Sequence, residues 1–270
     1  MMRLLALTAL CACAPIPPDA ELPLAPFEPP LFVFQNGVDF GSFEQEAETL
    51  RALGYDGLGS VKLPSFAERL AAYDAAHVRI FSIYVSLGDE GIPGAIELLA
   101  GRDALVELTV RQPRGPQTVR AVQEVADLAA AAGLRVALYP HAGFTVQYIP
   151  DALELIEQVK RPNLGLMFNL CHFLKGEHPE DLEGTIERAA AHVFAASTCG
   201  ADPQGQSWGE LIRPLDSGTF DQQRLLGALE RIGFRGAVGL QCYAVKGDKR
   251  ENLRRSMVAW REALETLNGS

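Results

Sequence analysis

Val106-Glu107-Leu108-Thr109-Val110-Arg111 alternates apolar and polar side chains residue by residue. Successive side chains of a β-strand point to opposite faces, so a run of this kind buries one face against an apolar layer and turns the other toward something polar. With Val106, Leu108 and Val110 against that layer, Glu107, Thr109 and Arg111 share the second face. Val136-Ala137-Leu138-Tyr139-Pro140-His141 repeats the pattern beyond the next helical stretch and aims Tyr139 and His141 the same way.

Outward from these two runs, the chain cycles between short β-rich segments and amphipathic helical ones. Strands are expected at Leu31–Asn36, Tyr55–Ser60, Arg79–Leu87, Ala104–Arg111, Arg135–His141, Leu164–Leu170, Val193–Gly200 and Ala237–Tyr243. Helices are expected near Phe43–Leu53, Ser65–Ala76, Ile92–Leu99, Pro116–Ala132, Gln147–Gln158, Pro179–Ala191, Asp221–Ile232 and Arg250–Leu267. Gly54, Gly133 and Gly233 follow apolar helical runs, where a left-handed residue ends a helix, and Pro116 and Pro179 stand near helix starts. Strands alternating with crossover helices imply parallel pairing, and eight of each imply an α/β fold closed as a (β/α)8 TIM barrel. An open doubly wound sheet is the other option, but no Gly-rich phosphate loop follows the first strand.

The same alternation places Ser82, Tyr84 and Ser86 inside the barrel, with Met167 and Asn169, and with Gly239, Gln241 and Tyr243. Taking Phe32 and Phe34 as helix-facing leaves Gln35 inside; the seventh strand offers Ser197 or Thr198; His172 falls just past the sixth. Barrels of this class carry their sites at the C-terminal mouth of the strands, so a polar ring there implies a polar, small-molecule ligand. Trp208 and Asp202 lie in the long segment after strand seven, which reads equally as a pocket lid or as an ordinary covering loop.

Composition narrows the partners. Among 270 residues the formal net charge is −10, and no stretch concentrates Lys and Arg, which argues against nucleic acid. Met1-Met2-Arg3, the apolar run Leu4–Leu10 and Cys11-Ala12-Cys13-Ala14 resemble a compact export signal over 1–14, with Cys13 as a lipid-bearing anchor residue. Residues 15–30 are proline-rich and read as a tether, leaving 31–270 for the barrel. The expectation is an exported, periplasmic or lipid-anchored protein touching membrane only through that N-terminus; the alternative is a cytoplasmic chain with an apolar start. The remaining cysteines, Cys171, Cys199 and Cys242, form no disulfide or metal pattern and read as small buried hydrophobes. Oligomeric state is not legible.

Gly54-Tyr55-Asp56-Gly57, Tyr139-Pro140-His141, Asn169-Leu170-Cys171-His172 and Gly239-Leu240-Gln241-Cys242-Tyr243, in this order on a barrel, resemble the xylose isomerase-like superfamily of sugar and sugar-phosphate isomerases and epimerases. The resemblance implies a divalent metal held by carboxylates and histidines at the ends of strands five to eight. Carried over, it puts Tyr139 and Gln241 where glutamates are usual, Asn169 where an aspartate is usual, and Ser197 or Thr198 in place of a histidine; His172 matches. Amide oxygens lack the charge that holds Mg²⁺ or Mn²⁺, so a divalent ion (Zn, Mn, Mg or Co) on His141 and His172, with Asn169, Gln241 or Glu107 helping, is the form a metal site would take.

The resemblance implies an isomerase or epimerase that moves a proton next to a carbonyl of a sugar or sugar derivative. Such chemistry needs a base and a group that stabilises an enediolate. Glu107 or His141 is the candidate base. His172, a metal or Arg111 is the candidate oxyanion stabiliser, Tyr139 or Tyr243 the hydroxyl donor. Gln35, Tyr84, Arg111, Asn169, Gln241 and Tyr243 are the candidate substrate contacts. Two alternatives stand beside it: a lyase acting on oxidised glycosides, and a non-catalytic carbohydrate-binding barrel that has lost its metal site.

Overall fold

The computed structural model describes residues 25–269. In chain order the elements are β1 (Leu31–Phe34), α1 (Phe43–Leu53), β2 (Gly57–Ser60), α2 (Phe66–Ala75), β3 (Arg79–Ser86), α3 (Ile92–Leu99), β4 (Leu105–Thr109), α4 (Pro116–Ala131) and β5 (Arg135–Leu138). There follow α5 (Ile149–Val159), β6 (Leu164–Asn169), α6 (Leu170–Gly176), α7 (Leu182–Ala189), β7 (Val193–Thr198), α8 (Trp208–Leu211), α9 (Gln222–Arg231), β8 (Val238–Leu240) and α10 (Lys249–Asn268). All eight strands pair in parallel with their sequence neighbours, and β8 pairs with β1, so the sheet closes as the expected (β/α)8 barrel. Among the described residues, no helix is long and apolar enough to cross a membrane.

Local chemistry explains the joints. Ser42 and Gln45 form a reciprocal capping box that starts α1, and Gly54 ends that helix at φ 87°. The Gly-Tyr-Asp-Gly segment that follows is a structural staple: Tyr55 donates to the Leu253 carbonyl at 2.8 Å and the Asp56 carboxylate accepts from the Leu31 amide at 2.8 Å. One motif that carried the family resemblance therefore ties β1 to the helical shell.

Two apolar layers result. Val33, Leu58, Ile83, Val106, Leu108, Val136, Leu138, Leu166 and Phe168 pack outward against the helices, while Phe32, Phe34, Phe81, Leu105, Ala137, Tyr139, Met167 and Ala195 fill the barrel. The outer face agrees with the alternation for β4, β5 and β6. In β1 it is reversed: Phe32 and Phe34 point into the barrel, and Gln35 opens a short 3₁₀ turn after the strand. Two aromatic rings fit there because the flanking strands are small. A Cβ at Gly59 would meet the Phe32 ring at 2.7 Å, and one at Gly239 would meet both Phe32 and Phe34 at 2.7 Å. Phe81 joins them, stacked on Phe32 with centroids 5.3 Å apart. Register also decides β7: Ser197 lies level with Asn169 and Gly239, inside, whereas Thr198 turns out and donates to Gln222 of α9 at 2.7 Å.

Three further differences have physical causes. The ladders of β5 and β8 stop at Leu138 and Leu240, so Tyr139–His141 and Gln241–Tyr243 stand beyond the paired region. The sixth strand passes directly into α6, with Asn169 as its N-cap, where sequence reading expects strand to Leu170 and no helix before Pro179. Residues 25–30, expected to belong to a tether, pack on the barrel: Phe27 is buried and exchanges hydrogen bonds with the Asn268 side chain at 2.8 and 3.3 Å, and the Pro30 carbonyl accepts from Val238 at 2.8 Å. The export signal, the first part of the tether and Cys13 lie outside the described residues.

Because Gly239 touches two ring edges, Gly239→Ala is expected to destabilise the chain by about 1–3 kcal/mol in denaturant unfolding, the usual cost of overpacking. Combining it with Phe34→Leu should recover part of that loss, and additive losses would show that the contact does not matter.

Candidate functional site

At the C-terminal mouth the strand ends enclose a cavity of about 470 Å³. Phe34, Tyr84, Tyr139, Trp208 and Tyr243 give it an aromatic wall; Asn36, His141, His172 and Gln241 supply polar groups; Val61, Ala142 and Ile212 complete it. Among the described residues, no Asp, Glu, Lys or Arg lines it. Of the residues expected there, the structure brings together Tyr84, Tyr139, His141, His172, Gln241 and Tyr243, with Asn169 buried directly behind them.

The two histidines are the most directional part. His141 follows β5, and its Nδ1 lies 2.9 Å from the Ala142 carbonyl oxygen. A carbonyl only accepts, so Nδ1 carries the proton and Nε2 presents a lone pair. His172 sits in the first turn of α6, and its Nδ1 accepts from the Ala142 amide at 3.1 Å. An amide N–H only donates, so in the neutral ring the proton is on Nε2. One residue, Ala142, thus sets opposite tautomers in two rings whose centroids are 4.2 Å apart. Burial lowers both pKa values. His141 falls below its ordinary 6.5, helped by the Arg111 cation, and His172 falls to about 3, helped by His141.

Packing holds these rings. His141 stacks on Phe144 at 3.9 Å, and the Arg111 guanidinium lies 3.9 Å from the same Phe144 ring. Trp208, in the short helix α8 after β7, meets His172 edge to face at 5.1 Å. That segment is anchored by an antiparallel bridge between Gly200 and Arg213 and by the Asp202–Arg213 ion pair at 2.8 Å.

Tyr139 forms the deeper surface, edge to face with Tyr84 at 5.0 Å and with His172 at 5.7 Å. Burial pushes its phenol well above the ordinary value, so the hydroxyl keeps its proton. Gln241 Nε2 donates to that hydroxyl at 3.3 Å, while Gln241 Oε1 accepts from Asn36 Nδ2, Cys242 N and Tyr243 N at 2.9, 3.0 and 3.1 Å. Asn169 Oδ1 accepts from the Cys171 thiol at 3.1 Å and from His172 N at 3.5 Å.

Three expected residues lie elsewhere. Gln35 is buried beneath the rim, its Oε1 accepting from Ser60 Oγ at 3.1 Å and Val61 N at 2.9 Å, and it does not line the cavity. Asn36 does, because with Phe32 and Phe34 inside, the in-facing parity falls on 36. Arg111 is exposed, over Phe144, outside the lining. Glu107 points inward but lies below the mouth, lining a cleft of about 90 Å³ at the other end of the barrel with Arg79, Arg135 and Arg235. It is completely buried, neither oxygen has a well-formed hydrogen bond, and burial raises its pKa to about 7, offset in part by Ser82. A base acting at the mouth is therefore not Glu107. Asn36, Phe144 and Ile212 escaped sequence reading; only the parity of β1 could have revealed the first.

The expected metal ligands do not form a ligand set. Among the described residues no three His, Cys, Asp or Glu side chains converge as a metal would require. The oxygens of Gln241 and Asn169 are taken by N–H and S–H donors, and neutral His172 turns a proton rather than a lone pair outward. Among the described residues of the wall, His141 Nε2 and the unpartnered Asn36 Oδ1 are the ligand atoms left, too few to hold a metal.

The model of the family described as xylose isomerase-like TIM barrel matches residues 96–267. The chain belongs to this family. Solved structures share the xylose isomerase-like fold. A 3-keto-D-glucoside 4-epimerase from E. coli in its apo form superposes with a TM-score of 0.68 at 16% identity, covering 88% of this chain and 100% of the other. The IOLI protein with a binding zinc atom gives 0.69 at 19%, covering 88% and 99%. A D-allulose 3-epimerase from Methylomonas sp. in complex with D-allulose gives 0.66 at 15%, covering 88% and 98%. At these identities the likeness concerns the fold. No curated protein sequence matches the chain.

For Glu107 the folded pKa of about 7 exceeds the ordinary 4.5, so folding holds a proton that the unfolded chain releases between those values. Its cost to stability is absent below pH 4.5, grows as pH rises and is complete above about 7. Glu107→Gln is expected to stabilise the chain by on the order of 1–3 kcal/mol near pH 8, with no gain in acid, as read by urea unfolding at both pH values. Equal stability at both would refute the burial argument.

Proposed function

We propose that this chain is an isomerase or epimerase of an uncharged sugar or sugar derivative, moving a proton next to a carbonyl within the mouth cavity. The observation that carries the reading is the pair of opposite histidine tautomers. His141 Nε2 has a lone pair and the ring stays neutral at pH 7, as a general base requires. His172 Nε2–H is a fixed donor whose pKa of about 3 keeps the ring neutral as charge develops on an adjacent oxygen. Removing a C–H proton next to a carbonyl sends that bond's electron pair toward the carbonyl oxygen. Return of the proton to the other face, or to the neighbouring carbon, gives epimer or isomer.

The lining supports the substrate class. Aromatic faces suit the C–H faces of a sugar ring, and Asn36 suits its hydroxyls. With no cationic side chain in the wall, a phosphate would lose its hydration without a partner. The neighbours agree in kind: among the solved structures are a 3-keto-D-glucoside 4-epimerase, an L-ribulose 3-epimerase and a D-allulose 3-epimerase bound to D-allulose. The absence of a carboxylate from the wall favours one other reading, a barrel that binds a carbohydrate without transforming it.

Incubation in D₂O with unphosphorylated ketoses and 3-keto-glycosides separates the two. The enzyme reading expects deuterium at the carbon beside the carbonyl, and a loss of about 10²–10⁴-fold in His141→Gln, the usual contribution of a general base. The rate should hold above pH 6.5 and fall in more acidic solution as His141 takes a proton. Sugar binding without exchange would leave the binding barrel.

A further inference from the structure

The amides of Gln241 and Asn169 are oriented without ambiguity. Gln241 Oε1 is met by three N–H donors, and Asn169 Oδ1 by a thiol and an amide, so neither group can flip without setting NH₂ against donors. The Gln241 NH₂ group is thereby left for the Tyr139 oxygen, and the Asn169 NH₂ group meets no acceptor among the described residues. Gln241 Nε2 donates to that oxygen at 3.3 Å, and Asn169, whose Nδ2 makes no well-formed hydrogen bond, lies beside the same hydroxyl and draws its pKa down against the effect of burial. A hydroxyl oxygen that accepts a hydrogen bond still has its own proton to give, and no acceptor among the described residues takes it. Donors on the oxygen polarise the O–H bond and make it a better donor in turn.

We propose that the Tyr139 hydroxyl is the electrophile of this site, in the role a divalent cation would otherwise fill, and that the cavity works without a metal. The orientation of Gln241 argues it directly: what it turns toward the Tyr139 hydroxyl is a hydrogen-bond donor, not a lone pair. The step itself rests on the isomerase reading. His141 Nε2 takes the proton from the carbon beside the carbonyl; the C–H electron pair becomes the C=C bond, and the carbonyl π pair moves to oxygen. That oxygen accepts hydrogen bonds from Tyr139 O–H and His172 Nε2–H. His141 then returns the proton to the former carbonyl carbon while the substrate's own hydroxyl proton passes to the enediolate oxygen and the carbonyl re-forms at the neighbouring carbon, so the isomer results and no oxidant or further reactant is consumed.

The test uses the full chain stripped with chelator. Zn²⁺ and Mn²⁺, each alone, are titrated calorimetrically into the wild type and into His141→Ala. A short hydroxyacid hydroxamate, a planar mimic of an enediolate, is titrated in excess chelator into the wild type and Tyr139→Phe. The proposal expects no stoichiometric metal uptake, and hydroxamate binding that survives chelator and weakens about tenfold or more in Tyr139→Phe, the worth of a hydrogen bond to a charged group. One metal per chain, lost in His141→Ala, overturns it. Hydroxamate binding that is absent, needs metal or ignores Tyr139→Phe does so as well. Should Tyr139→Phe fail to fold, Gln241→Met takes its place, removing one donor from the phenol oxygen, and hydroxamate binding weakened severalfold is then expected. Failure of the sugar reading appears separately, as absent deuterium exchange with the metal and hydroxamate results unchanged.

Discussion

The aromatic plug inside the barrel is the constraint on which the site depends. Phe32, Phe34 and Phe81 fill the space left by Gly59 and Gly239, and close packing there leaves no room for a deeper cavity. Phe34 meets the Tyr139 ring at 6.5 Å from below, so the plug sets the height at which Tyr139 stands. Tyr139 in turn carries the contacts of Tyr84, His141 and His172. The glycines of neighbouring strands thus determine, through ring packing, where the polar groups of the mouth begin.

Above the plug the site is built from neutral groups with fixed directions. Every strongly polar side chain in it has its orientation set by a backbone or amide partner that can only donate or only accept. Ala142 is the clearest case, since its carbonyl and its amide assign the protons of two adjacent rings. Such preorganised dipoles act strongly in a water-poor cavity and need no rearrangement when charge develops beside them. Charge is segregated instead. Arg111 stands outside the wall on Phe144, and Glu107, with three arginines, belongs to the opposite end of the barrel.

The polar groups at the strand ends differ from those that the resemblance in sequence implies. Asn169 and Gln241 stand at strand ends where the resemblance expects carboxylates, and the NH₂ group of Gln241 donates to Tyr139. A carboxylate at position 241 would turn an acceptor toward that hydroxyl, and the phenol would then spend its proton on the protein.

Strand–helix alternation, its count and the inward faces of β4, β5 and β6 were legible in the sequence, because side-chain period and Gly or Pro punctuation are local properties. The gathering of Tyr84, Tyr139, His141, His172, Gln241 and Tyr243 at one mouth followed from those periods. What only the tertiary structure decided was whatever depends on neighbours distant in sequence. The face of β1 was set by glycines in β2 and β8; the choice of Ser197 over Thr198 was set by register with β6 and β8; Glu107 sat too deep because its height depends on the shear of the closed sheet. The tautomers of His141 and His172 were equally beyond reach, since a ring's proton is placed by the backbone group that meets it, and that meeting exists only in the folded chain.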